Sequence, residues 1–543
     1  MTRSLTLTDR EPPSTLARPD TEPAERPGAV ESARDVLVEA VAGKSASAGS
    51  SAHAGSQAAP APYLTAAERT ERGRFERVQT PRSVLGEWEM PADRADPVEL
   101  LVGQEASRVQ ELVPVRHARM AVSAFTFYRG SALVMASDLS SQPRTALCPQ
   151  LCGDAHLSNF GLFAAPDRSV VFDVNDFDET HPGPFEWDVK RLATSFVLAA
   201  RDSAMSEEVG IAAAVAAASS YRQTMTQFAG KSELDVWYHR VDPDRLEAAV
   251  NEVATRKQRE MATNRPSRTH REVQKAVRKA RARDAWSVIN KITEVVDGKR
   301  QFRNQPPLLE RLDTNADVMA MASDLYSQYL AILEDDRREL LSRYEMVDIG
   351  HKVVGVGSVG LLAFALLMRG RDEDDLMVLQ VKQAQASVLE RFTQESAFAQ
   401  HGRRVVTGQR LMQATGDSFL GWINSPSRRD YYVRQLRDMK WSPDPAKLTS
   451  TGLQQYARMC GNTLARAHAR SGDSISIAAY LGSGSKFDQA MGAFSATYAD
   501  QVHRDFEAFT AAISDSRISA AEEINGGEGL RGARRATASG PTP

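Results

Sequence analysis

Two aspartate-bearing loops joined by one short β-prone segment constrain this chain more than any other feature. The first reads Gly153-Asp154-Ala155-His156-Leu157-Ser158-Asn159-Phe160-Gly161, and the second Phe172-Asp173-Val174-Asn175-Asp176-Phe177-Asp178-Glu179. Val170, Val171, Phe172 and Val174 favour extended backbone, which puts Asp176 at a strand end. A carboxylate, an amide five residues on, and a hairpin ending in Asp-Phe-Asp form a phosphoryl-transfer pattern. Asp154 would orient or deprotonate a hydroxyl. Asn159, Asp176 and Asp178 would offer oxygen ligands to Mg²⁺. Turns are also rich in Asp and Asn, so a second half of the site must be found.

Size and composition bound the search. With 543 residues and 42% hydrophobic content the chain can bury a large core and is expected to form two or more lobes. A net charge of −3 gives no general attraction to nucleic acid or membrane, and three cysteines are too few for a disulfide framework. The first residues lack the apolar core of a signal peptide, and the longest apolar run, Leu361 to Met368, is too short to span a bilayer. A cytoplasmic protein is the expectation. Cys148 and Cys152 lie near His156, but without a second pair they read as strand or turn cysteines rather than zinc ligands.

Composition also suggests divisions. Residues 1–75 are rich in Ala, Ser, Pro and Thr and read as a disordered leader, as does a tail at 525–543. Residues 76–205 hold the two acidic loops and a helix from Trp187. Residues 206–340 read as a helical connecting region, 341–440 as a strand-rich nucleotide-binding part, and 441–524 as helical. Val405 to Met412 looks like a strand within the fourth division. The basic run from Arg256 to Arg283 reads first as a solvated helix face. The alternative is a grip on an anion, and without interleaved aromatic residues it gives little support to nucleic acid.

The second half of the site is sought in Gly355-Val356-Gly357-Ser358-Val359-Gly360. Alone, this spacing fits either a kinase glycine hairpin or a dinucleotide-binding turn. A dinucleotide site needs a helix straight after the glycines. Here the charged turn Arg369 to Asp375 arrives too early, and the next strand carries Lys382 among apolar neighbours. Strand, glycine turn, strand and lysine strand favours the kinase arrangement, with Gly355, Gly357, Ser358, Gly360 and Lys382 holding nucleotide phosphates. The order is reversed, because the glycine turn follows the acidic loops. The later Asp473 is no substitute, since Ala478 stands where the metal-binding amide should be. Circular permutation resolves the order. The fold expected is therefore α+β: a circularly permuted, protein-kinase-like two-lobe fold with a helical insert and disordered termini.

The Asp154 loop resembles the catalytic loop of aminoglycoside phosphotransferases and choline kinases, His156 included. Asp176-Phe177-Asp178 is similar to the metal-binding Asp-Phe-Gly of protein kinases, with Asp178 in place of Gly. Gly183 to Asp188 looks like the segment that follows, whose Asp braces the catalytic loop. From about 80 to 515 the chain more closely resembles domain-of-unknown-function family 2252, a bacterial family grouped with the protein-kinase-like fold. Leu112 to Arg116, Phe127 to Gly130, Cys152 to His156, Asn175 to Glu179, Val354 to Gly360, Val433 to Asp438 and Ala465 to Arg470 carry that resemblance. Together the two loops, the lysine strand and these likenesses read as an ATP- and Mg²⁺-dependent phosphotransferase acting on an unknown acceptor, a small molecule in preference to a protein, and an anionic one if the basic run grips it. Adenylyl transfer and nucleotide sensing without turnover are the alternatives. Asp188 and His156 would brace the loop, the backbone from Gln435 to Met439 would meet adenine, and Glu390 and Glu395 are both candidates to pair with Lys382. Arg129, Lys190 and Arg191 read as salt-bridging residues before acceptor-binding ones.

Overall fold

The computed structural model describes residues 63–240 and 285–521, apart from 307, 313–315, 354, 425–428 and 437–440. The basic run 256–283, the tail, residues 1–62 of the expected leader, and Arg437 to Met439 lie outside these residues. The described chain is a mixed α+β protein. Its first helix, α1 (Ala66–Gln79), begins inside the expected leader and corrects it: residues 66–75 are helical, not disordered. Thr65 and Glu68 form a reciprocal capping box there, and Arg77 donates to the carbonyl of Tyr480 at 2.8 Å, docking the helix on the body.

The larger part of the core is helical. Helix α2 (Ala124–Gly130) precedes the two-residue strand β1 (Gln150–Leu151), the hairpin β2 (Phe160–Ala164) and β3 (Val170–Val174), and the short β4 (His181–Pro182), which pairs with β1. Helix α3 (Phe185–Asp202) then runs through the interior, buried from Phe185 to Ala200. Around it pack α4 (Glu207–Ala229) and, from the far end of the chain, α7 (Ser450–Ser471) and α8 (Lys486–Ser514), introduced here with α5 (Ala316–Ala331) and α6 (His401–Met412) that precede them. Gly461 lets α7 approach α4 closely: a Cβ there would stand 2.1 Å from the Ala217 carbonyl oxygen.

The other part is a six-stranded antiparallel sheet. A separate hairpin, β5 (Thr293–Val296) and β6 (Lys299–Phe302), precedes its strands β7 (Leu309–Arg311), β8 (Glu345–Lys352), β9 (Ala363–Arg369), β10 (Leu376–Ala384), β11 (Gly421–Asn424) and β12 (Asp430–Gln435). Their order is β11-β12-β10-β9-β8-β7. One face, with Ile349, Phe364, Leu366, Val381 and Val433, packs under Tyr326 and Tyr329 of α5. The period of two along β10 turns Gln380 and Lys382 to the opposite face.

Two further expectations are corrected. Residues 206–340 contain β5, β6 and β7 as well as helices, and β7 joins the sheet. Val405 to Met412 lies in α6, not a strand. The β-branched pair Val405-Val406 suggested extended backbone, but the buried set Val405, Val406, Gln409 and Met412 recurs at helical spacing.

Candidate active site

Asp154 sits in a loop fixed from several directions. Gly153 adopts φ +78°, and a Cβ there would lie 2.1 Å from the Glu179 carbonyl oxygen, so both conformation and space require glycine. Asp188, in the first turn of α3, accepts the N–H of Cys152 at 2.8 Å and of Gly153 at 3.1 Å, and its Oδ2 is 3.3 Å from His468 Nε2. Cys152 Sγ also lies 3.2 Å from Asp188, and Cys148 is exposed. Asn159 Nδ2 donates to the Asp154 carbonyl at 2.7 Å, while the Asn159 carbonyl accepts the N–H of Asn175 at 2.7 Å. The two acidic loops are thereby tied to each other.

The Asp154 carboxylate accepts Arg191 Nε at 2.6 Å, and Arg191 is held in turn by the Tyr128 carbonyl at 2.8 Å and the Tyr128 ring. Burial lifts the Asp154 carboxyl above the usual range, against the opposing pull of Arg191. His156 Nε2 is 3.6 Å from Asp154 Oδ2. Burial, Arg129 and Arg191 all hold the His156 ring well below its ordinary pKa, so it is neutral at physiological pH.

Lys382 extends from β10 to the second loop. Its ammonium pairs with Asp178 and lies 3.8 Å from Asp176 Oδ2. Burial pulls the Lys382 pKa down, but Asp176 and Asp178 raise it further, so it stays charged. Asp178 also accepts Tyr432 Oη at 2.7 Å and faces Ser358 Oγ at 3.5 Å. Glu390 is engaged elsewhere, beside Arg404 and the Ser387 N–H. The acids next to Lys382 are therefore Asp176 and Asp178 of the second acidic loop, and neither Glu390 nor Glu395 is among them.

A cavity of about 170 Å³ gathers most of these groups. Asp154, His156, Asn159, Asp176 and Asp178 line it together with Gly355, Gly357 and Ser358. Gly360 does not. It packs on Arg108 and its carbonyl accepts the Val109 N–H at 2.8 Å, anchoring the end of the turn. Asp188 lies behind the loop. Arg129 lines the cavity, and its Nε is buried without a hydrogen-bond partner among the described residues. Of the three cations read as salt-bridging, Arg191 forms an ion pair with Asp154, whereas Lys190 lies 4.2 Å from the centre of the Phe494 ring.

The signature of a family described as "Uncharacterized protein conserved in bacteria (DUF2252)" matches residues 108–512. The chain belongs to this family. The match takes in both acidic loops, the glycine turn and the lysine strand. No curated protein and no solved structure matches the chain.

Sequence reasoning missed Arg108, Arg116, Glu179 and Tyr432. Tyr432 pairs in register with Lys382, so it was recoverable once β10 and β12 were known to be neighbours. Arg108 and Arg116 carry no local signal, because only the packed chain sets Arg108 against Val359 and Gly360 and brings Arg116, bonded to Glu105 and the Gly130 carbonyl, to the wall of the same cavity.

Among the described residues no three His, Cys, Asp or Glu side chains converge as a chelating group. A cation here would draw on Asp176, Asp178 and the Asn159 amide, and take its remaining oxygens from phosphate and water. That donor set fits Mg²⁺, which keeps waters and shares phosphate oxygens. Among the described residues no helix is long and apolar enough to cross a membrane.

Proposed function

We propose that the protein is a phosphotransferase that uses Mg-ATP, built as a circularly permuted kinase-like pair of lobes. The observation that carries this reading is the single cavity lined by Asp154, Asn159, Asp176 and Asp178 on one side and Gly355 to Ser358 on the other, with Lys382 at Asp178. At about 170 Å³ it is smaller than the ~300–1,000 Å³ of ordinary ligand pockets. It suits a triphosphate end and a small acceptor, with the base outside it.

Each residue then has a role. Mg²⁺, when bound, neutralises charge on the phosphates. Asn159, Asp176 and Asp178 would hold it. Lys382 and the glycine turn would position the phosphates, which requires Lys382 to give up part of its contact with Asp178. Asp154 would accept the hydrogen bond of the acceptor hydroxyl. Its ion pair with Arg191 makes it an orienting group more than a strong base, which suffices for a loose transition state.

A second reading, adenylyl transfer with the nucleotide reversed, is favoured by one observation. Beside Lys382 the sheet face presents buried Gln380 and half-buried Arg434, hydrogen-bonded to each other at 3.0 Å. A polar, cationic surface there suits phosphates better than a stacked base. Purified protein incubated with a metabolite extract and either γ- or α-labelled ATP separates the readings. Transfer of the γ label supports phosphotransfer, and transfer of the α label supports adenylylation. Binding with neither transfer leaves a nucleotide sensor.

A further inference from the structure

Arg129 is left without a task by the roles above. It lies on α2, and its carbonyl oxygen would be 3.4 Å from a Cβ on Gly357, so the glycine turn rests on this helix. Arg129 lines the cavity, with its Nε buried and unpartnered among the described residues. Asp154 is the acid whose charge acts on it, but that carboxylate is already hydrogen-bonded by Arg191. Neutral His156 adds no compensating charge. A second arginine has the same deficit. Arg108 is 7% exposed, also lines the cavity, and gives one N–H to the Val359 carbonyl at 2.6 Å, yet its Nε has no partner among the described residues. Buried guanidinium N–H groups without acceptors are costly. A planar fork of such donors matches the oxygens of a phosphate, and two arginines suit a dianion better than a carboxylate.

We propose that Arg129, supported by Arg108, forms an oxyanion subsite beside Asp154 that takes a phosphate group carried by the acceptor. The acceptor class is then a small phosphorylated alcohol, its phosphate on Arg129 and its hydroxyl at Asp154. Assignment to the acceptor rests on the phosphotransferase reading, because it uses Asp154 as the group that meets the hydroxyl.

Inorganic phosphate is the probe, titrated calorimetrically into the full chain with and without saturating Mg-AMP-PNP, which fills the terminal-phosphate position. Phosphate is expected to bind in both states. Arg129→Gln should weaken it about tenfold or more, Arg129→Lys should weaken it less, and Lys382→Ala should weaken AMP-PNP but leave phosphate within about twofold. Unchanged phosphate affinity in Arg129→Gln, or no phosphate binding by the wild type, refutes the subsite. Phosphate binding abolished by Mg-AMP-PNP gives Arg129 to the nucleotide instead and overturns the acceptor assignment. Arg129-dependent phosphate binding in a protein that binds no AMP-PNP supports the subsite and sinks the phosphotransferase reading. Should Arg129→Gln fail to fold, tungstate soaked into wild-type crystals decides: density at Arg129 supports the subsite, and density elsewhere overturns it.

Discussion

The Asp154 loop and the glycine turn face the same cavity but are held in opposite ways. Around Asp154 the restraints are buried and mutual: Asp188 on two N–H groups, Arg191 on the carboxylate, Asn159 on the carbonyl. At the glycine turn the anchored end is Val359-Gly360, held by Arg108 and Val109. The tip relies on an exposed bond from Arg119 to the Gly355 carbonyl, 2.6 Å, and on Ser358 near Asp178. Buried, multiply satisfied networks resist local opening, whereas solvent-exposed contacts yield first. On the phosphotransferase reading, this difference would keep Asp154 fixed while the glycine turn admits and releases ligand.

The most severe test of the rigid side is Asp154→Asn. It keeps size and hydrogen bonding but removes the charge, so turnover should fall about 10²–10⁴-fold while Mg-nucleotide affinity persists. Wild-type turnover in this variant would reduce Asp154 to a loop brace and favour the sensor reading. Thermal unfolding measured alongside separates lost chemistry from lost structure.

Asp188→Ala should come next. It strips acceptors from two buried N–H groups and a partner from His468, and each orphaned group costs about 1–3 kcal/mol. A loss of about 3 kcal/mol or more in chemical denaturation is expected. A loss below about 1 kcal/mol would mean that the loop is not braced in this way.

The seam between the regions supplies a pH test. Glu179 accepts the Val388 N–H at 2.8 Å, and its carbonyl accepts Ser387 Oγ at 2.8 Å. Burial pushes its carboxyl up from 4.5 to about 7. Between those values the folded chain binds a proton that the unfolded chain has lost, so this group's contribution to stability falls as pH rises from about 4.5 to 7. Glu179→Gln should therefore gain on the wild type across that window, by up to about 3 kcal/mol, with no further change above it. A pH-independent difference between the two unfolding curves would contradict this.

The smallest effect belongs to the glycine turn. Arg119→Ala should shift stability by no more than about 0.5 kcal/mol, since the bond it loses is exposed. Nucleotide affinity should still drop a few-fold as the turn loosens, worth about 1 kcal/mol by titration. A destabilisation matching that of Asp188→Ala would erase the contrast between the two regions.

Much of this arrangement was legible in the sequence. β-Branched and aromatic residues before Asp176 marked its strand, and the alternation around Lys382 set it among apolar neighbours. The helical reading of 441–524 fits α7, where Leu453, Tyr456, Cys460, Leu464 and Ala467 are buried at spacings of three and four. Reading failed where local preference and packing disagree. Val405-Val406 favours a strand in isolation, but α6 buries a helical face against neighbours that are distant in sequence. Within 206–340, β7 became a strand because β8 offered it an edge.

The sequence by itself determined which residues could do chemistry: the acids and amide of two adjacent loops, the glycines of a turn, and one lysine in an apolar strand. Spacing and side-chain type are local properties and survive without a fold. Only the tertiary structure decided their partners. Lys382 meets Asp178 across 204 positions, Arg191 takes the carboxylate of Asp154, and Arg108 and Arg129 enter the same cavity with donors unspent. Charge pairing depends on distance in space and on burial, and both are fixed only when the helical core and the sheet close over one another.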